Sequence, residues 1–271
     1  MLRFPSESLT VVLGRGQAGG LRLRRGAVQL LEAVHGDKAV QPAGGAADAI
    51  AESLELLERW LRAPELRGLR IRLILADSHV RYALLPSSAI PLRAAEDAAL
   101  LNARFGELYG EMGEWQMQAE AQRHGQTRLA CAMPAALVQG VRELCLRNGS
   151  RLVSLQPYFI ACCNRWRSRI GRHEGMLALL AGEELVLAGF DRHGWNSIRA
   201  SLCEATPQAL ADAIHREKMQ HGLAPDLPVW LHTAVPRPEL GELGQALGQE
   251  RHPAAGDACL SQAMALAGGS A

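Results

Sequence analysis

Four glycines crowd the start of the chain, in Gly14-Arg15-Gly16-Gln17-Ala18-Gly19-Gly20. Glycines spaced this way let backbone N–H groups approach phosphate oxygens, and Gly14-x-Gly16 matches the opening of a dinucleotide-binding loop. That loop requires a helix directly after its glycines. Here Leu21 and Leu23 alternate with Arg22 and Arg24, the period of a strand with one buried face. The expectation is therefore a turn at Gly14, Gly16, Gly19 and Gly20 between two strands, with Arg22, Arg24 and Arg25 on the wet side.

Other residues carry chemistry by type but not by spacing. Asp77-Ser78-His79 holds the three types of a hydrolytic triad, yet a triad is assembled in space from distant segments. A cysteine nucleophile needs a paired base. Adjacent Cys162 and Cys163 cannot both face one site from a helix, so one is expected buried and the other at a helix flank. His173-Glu174 lacks the second histidine of a helical zinc site, and His215 and His221 are six apart, which is not one face. No catalytic residue, metal or cofactor is expected. Arg165, Arg169 and Arg172 share a helix face, with Trp166 and Arg167 alongside. Such a stripe can grip phosphates, but a formal charge of +1 favours a solvated face or a contact for an acidic partner. Trp195 follows Arg192-His193-Gly194 at a hairpin and is a second candidate partner contact. The remaining tryptophans are expected to anchor the core or a subdomain interface.

These residues need elements to hold them. The 271 residues, 48% hydrophobic, allow one large domain or two medium ones with ample core. The six cysteines include no Cys-x-x-Cys pair and read as reduced, mostly buried thiols. No run reaches the about 18 apolar residues of a membrane span, and the N-terminus lacks a signal peptide's apolar region. A cytoplasmic protein is expected. Strands are predicted over 9–13, 21–25 and 27–34, then a helix over 46–62, whose stripe is Ile50, Leu54, Leu57 and Leu61. Further strands are predicted over 69–76 and 80–85, a helix over 92–109, and a hairpin over 114–133. A helix opened by Pro134, a strand over 151–156 and a helix to Ile170 follow. The opening pattern then repeats, with strands over 176–181, 185–190 and 195–202. After it come a helix over 207–221 capped by Thr206, a strand over 228–233, and helices over 239–247 and 257–267.

Two copies of a three-strand meander, each followed by a helix and a strand, suggest a duplicated α/β fold. The order resembles the actin-like (RNase H-like) fold, with two lobes that each carry a β-meander and flanking helices. Within it, Leu9–Gly26 is similar to the first phosphate hairpin of the PilM family of type IV pilus assembly. Leu129–Arg165, with Leu-Ala-Cys-Ala-Met-Pro and Ala-Cys-Cys-Asn-Arg, resembles that family's crossover. Leu73–Pro86 resembles the cytoplasmic part of the type II secretion protein GspL, and Ala258–Gly268 resembles the closing helix of actin-like chains. The resemblance implies a first lobe at 1–172, with a small α/β subdomain inserted at about 77–133, and a shorter second lobe at 173–271.

Nucleotide-binding members of the fold carry Asp-x-Gly in each phosphate hairpin. Here the first reads Gly14-Arg15-Gly16 and the second Leu180-Ala181-Gly182, both without the aspartate. The Gly-Gly pair that lines the adenosine pocket is replaced by His232-Thr233-Ala234-Val235-Pro236. The implied function is a non-catalytic scaffold in a type IV pilus or type II secretion-like assembly. It would bind membrane-anchored proteins or the motor ATPase and reach the membrane only through them, with no nucleic acid partner. Arg165, Arg169 and Trp195 are the candidate contacts, and family members place a membrane partner's segment on the first half, near 69–133. The alternative is an actin-like ATP-binding protein or ATPase with divergent phosphate loops.

Overall fold

The computed structural model describes residues 7–24, 27–36, 46–88, 90–170, 174–234 and 238–247. They fall into two compact units. One draws on 7–79 and 135–165, the other on 80–134 and 166–247.

The first unit opens with β1 (Ser8–Gly14), β2 (Gln17–Arg24) and β3 (Ala27–His35), then α1 (Ala46–Leu61) and β4 (Arg70–Leu75). In the other unit lie β5 (Arg81–Leu85), α2 (Ala94–Tyr109), β6 (Trp115–Ala119) and β7 (Arg128–Pro134). The chain then adds α3 (Ala135–Arg147), β8 (Arg151–Pro157) and α4 (Tyr158–Ile170). The first unit's sheet has the order β3-β2-β1-β4-β8, with β1, β4 and β8 parallel. Its centre is dry because Leu9, Val11 and Leu13 lie in register beside Ile71, Leu73 and Leu75, all fully buried. These residues alternate along each strand and so share one face of the sheet, whereas Arg70 and Arg72 of β4 project from the other face and are exposed.

The second unit continues with β9 (Gly175–Ala181), β10 (Glu184–Asp191), β11 (Gly194–Leu202), α5 (Pro207–Gln220), β12 (Val229–Thr233) and β13 (Gln245–Leu247). Its five-stranded sheet runs β11-β10-β9-β12-β13 and repeats the meander of the first. The repeat extends to single bonds: Ala76 N–H donates to Leu13 O at 2.9 Å, and Ala234 N–H to Leu180 O at 3.0 Å. The core of this sheet is Met176, Ala178, Leu180, Leu185 and Leu187 with Leu210 and Ile214 of α5. Thr206 caps α5 by accepting from Ala209 N–H at 3.3 Å. A three-stranded sheet, β5-β7-β6, packs α2 through Phe105.

Several expectations need correction. Gly19 and Gly20 lie inside β2, because the turn is only Arg15-Gly16, with Gly14 paired to Gln17. Arg22 is not on the wet side: it stands opposite Leu9, its side chain is 16% exposed, and it is ion-paired with Glu7. The segment 239–247 is not one helix but a 3-10 turn, Pro238–Leu243, followed by β13, because Leu247 enters the sheet beside His232. Pro134 ends β7 and does not open α3. Arg25 and the expected helix over 257–267 lie outside the described residues.

Candidate functional site

Open α/β sheets bind ligands beyond the carboxyl ends of their parallel strands. In the first unit, the ends of β1 and β4 bring together the glycine turn, α1 and the start of α4. Gly16 sits at the turn with φ +68°, a conformation that favours glycine. Gly36 N–H donates to its carbonyl at 2.8 Å. The Glu52 carboxylate of α1 reaches this turn: a Cβ built on Gly36 would lie 2.6 Å from Glu52 Oε1, and one on Gly16 would lie 3.9 Å away. The turn thus carries a carboxylate, but from a helix and not from the hairpin.

The next residue of α1, Ser53, is buried. Its hydroxyl donates to Ala49 O at 2.8 Å, and its oxygen lies 3.2 Å from His79 Nε2. With the hydroxyl proton committed to Ala49, the Nε2–H of a neutral His79 is the donor. Burial, and then the Arg15 cation, pushes the His79 pKa down to about 4.

Asp77 is also buried, and both its oxygens lie 3.1 Å from the Phe159 N–H at the start of α4. A helix start leaves such donors unpaired, and its dipole favours an anion there. Asp77 and His79 are therefore neighbours in sequence that bond different elements, and with Ser78 they form no triad. The Tyr158 and Cys162 side chains are fully buried and bonded to each other, and burial pushes both pKa values up, so neither is a poised nucleophile at neutral pH. Arg165 is half-buried and close enough to stabilise their anionic forms. Arg167 is exposed, and the Arg169 side chain and Arg172 lie outside what is described.

In the second unit, Gly182 occupies the β9–β10 turn with φ +65°. Glu183 O accepts from Cys203 N–H at 2.8 Å. The fully buried His232 accepts from Trp166 Nε1–H through Nδ1 at 3.1 Å. Trp195 is half-buried, donates Nε1–H to Glu120 Oε2 at 3.0 Å, and packs edge-on against Phe190. Among the described residues, no group of three or more His, Cys, Asp or Glu is placed to hold a metal, and no helix is long and apolar enough to cross a membrane.

Glu52 and Ser53 were missed in the sequence. Ser53 left a signal, since it falls three after Ile50 and four before Leu57, inside the apolar stripe. Glu52 left none.

The chain superposes on solved structures of one architecture. A Bacteroides thetaiotaomicron protein with an actin-like ATPase fold and unknown function matches with TM-score 0.58, at 11% identity over 90% of each chain. The fold is actin-like. The cytoplasmic domain of EpsL, an inner-membrane component of the type II secretion system of Vibrio cholerae, matches at 0.55, with 14% identity over 96% of this chain and 94% of that one. A chain of the PilM–PilN type IV pilus biogenesis complex matches at 0.57, with 14% identity over 86% and 82%. The two families that the sequence resembles are thus both found among its structural neighbours. No family model matches the chain, and no curated protein matches it in sequence.

Proposed function

We propose that the chain is a non-catalytic actin-like docking body of a type IV pilus or type II secretion-like assembly, working on the cytoplasmic side. It would connect membrane-anchored proteins or the motor ATPase to the rest. The observation that carries this reading is the first glycine turn, which keeps Gly16 but lines it with the Glu52 carboxylate. A polyphosphate there would meet a like charge, and the hairpin offers no aspartate to hold a hydrated magnesium ion. The helix start nearby already has its anion, in Asp77. The likeness to the EpsL domain and to the PilM–PilN chain supports the choice of machine.

Lobes at 1–172 and 173–271, with partner contact near 69–133 and through Arg165, Arg169 and Trp195, belong to the same proposal. Trp195 and Arg165 are each half-buried, so a partner would meet only part of either side chain.

Titration with ATP and magnesium tests the silent turn, and no heat or thermal shift is expected. Micromolar binding or turnover would replace this reading with that of an actin-like ATPase. Affinity purification from the native cell tests the docking role and should recover pilus or secretion inner-membrane proteins.

A further inference from the structure

Residues directly opposed in a β-ladder project from the same face of the sheet. In the first unit this defines one row running Val28, Leu23, Ser8, Arg70, Arg151 across the five strands. The next row on that face runs Leu30, Leu21, Thr10, Arg72, Ser154. The face is thus divided. Its β3 and β2 side is aliphatic, with Val28 45% and Leu30 37% exposed, Leu23 half-buried and Leu21 covered. Half-buried hydroxyls of Ser8 and Thr10 follow, and then the exposed Arg70, Arg72 and Arg151.

The three arginines are placed at a cost to the fold. Arg70 and Arg151 stand directly opposite, with Arg72 two residues along on the same side, and like charges so placed repel. Six other arginines have a carboxylate within reach: Arg22 and Arg24 share Glu7, and Arg104, Arg128, Arg147 and Arg199 face Glu107, Asp97, Glu58 and Glu217. Among the described residues, no ion pair is made by Arg70, Arg72 or Arg151. The one carboxylate on the five strands, Glu32, lies on β3 at the far edge.

We propose that this face docks an acidic amphipathic segment of a protein partner, with carboxylates against Arg70, Arg72 and Arg151 and apolar side chains against Val28, Leu30 and Leu23. Guanidinium–carboxylate bonds are strong and directional, which suits a peptide acid. Five strands at ~4.8 Å spacing span about 19 Å, the length of about 13 helical residues. Single-stranded nucleic acid fits less well. The five strands carry no Phe, Tyr or Trp on which bases could stack, and a net charge of +1 supplies no attracting field. An anionic bilayer would favour basic residues spread over the face, whereas these occupy one side of it.

The inference rests on the docking reading above but not on the identity of the machine. Its test uses the purified full chain and is independent of recovery from cells. A fluorescent helical peptide of about 13 residues, with Glu on one face and Leu on the other, is compared by anisotropy with the same peptide carrying Gln for Glu. The Glu peptide should bind about tenfold or more tightly. That preference should vanish in the Arg70→Gln/Arg72→Gln/Arg151→Gln protein and weaken in Arg151→Gln alone, a change at the sheet edge. Relief of repulsion should leave both variants melting no lower than the parent. Absent binding, equal binding of the two peptides, or a preference that survives the triple change would overturn the proposal. Vesicles of phosphatidylserine and an oligo-dT strand form parallel arms. Arginine-dependent capture by either, without the peptide preference, would also overturn it and assign the face to that class.

Discussion

Asp77 and Phe159 are 82 residues apart, yet each oxygen of the Asp77 carboxylate lies 3.1 Å from the Phe159 backbone nitrogen. The strand end that carries Asp77 and the first turn of α4 are thereby fastened at one point, in a place sealed from solvent. The carboxylate does for α4 what an N-cap side chain does locally, but from a distant segment. Asp77→Ala should cost about 2 kcal/mol, because a buried helix-start N–H loses its carboxylate acceptor. Asp77→Asn keeps an acceptor oxygen and should cost less. Urea denaturation of the three proteins measures the ordering.

His79 makes the stability depend on pH. Its pKa is about 4 in the folded chain against an ordinary 6.5, so between those values the unfolded chain binds more protons. The contribution is full above pH 6.5 and is lost as pH falls from 6.5 through 4, reaching on the order of 3 kcal/mol. Denaturation midpoints taken across that range should fall with acid, and His79→Gln should flatten that part of the profile. Arg15→Ala should flatten it less, since burial is the larger cause.

The central strands of both sheets were legible because β1, β9 and β10 are apolar runs between turns and β4 alternates before becoming apolar, and the repeat of the meander gave the fold. The faces of β2 were not legible. Alternation shows that Arg22 and Leu23 point opposite ways, but only the pairing of Arg22 with Leu9 tells which way each points. The 239–247 segment failed for a different reason. Its Leu-Gly-Glu-Leu-Gly-Gln-Ala-Leu pattern suits a helix, and the free edge of β12 decided the matter for Leu247 by tertiary pairing. The Asp77–Phe159 and Ser53–His79 contacts join segments 82 and 26 residues apart, a closeness that no local period encodes.

Glu217 on α5 has a fully buried side chain: its Oε2 accepts from Arg199 Nε–H at 2.9 Å, and its Oε1 lies 3.3 Å from His221 Nε2 without a hydrogen bond. Arg199 is 46% exposed and can return to water if its partner is lost, whereas Glu217 cannot. The two halves of the pair should therefore cost unequal amounts. Arg199→Ala strands a buried charge and should destabilise by about 3 kcal/mol, while Glu217→Gln should cost distinctly less. A urea series on the two single variants and the double variant separates the terms. Equal losses would mean that His221 alone suffices to hold Glu217.

The glycines divide into two kinds, and substitution should tell them apart. Gly182 adopts φ +65°, and a Cβ there would meet nothing within 4 Å, so only the backbone conformation asks for glycine. Asparagine tolerates that conformation, and Gly182→Asn should change stability by less than about 1 kcal/mol. At Gly175 a Cβ would fall 1.8 Å from the Trp230 ring, which is itself buried in the second sheet. Gly175→Ala must displace that ring or the strand, and should cost about 2 kcal/mol or more. Thermal melts of the two variants, with Trp230 fluorescence as a local reporter, check the contrast. If Gly182→Asn proved as costly as Gly175→Ala, the second hairpin would owe its glycine to a close contact and not to its turn.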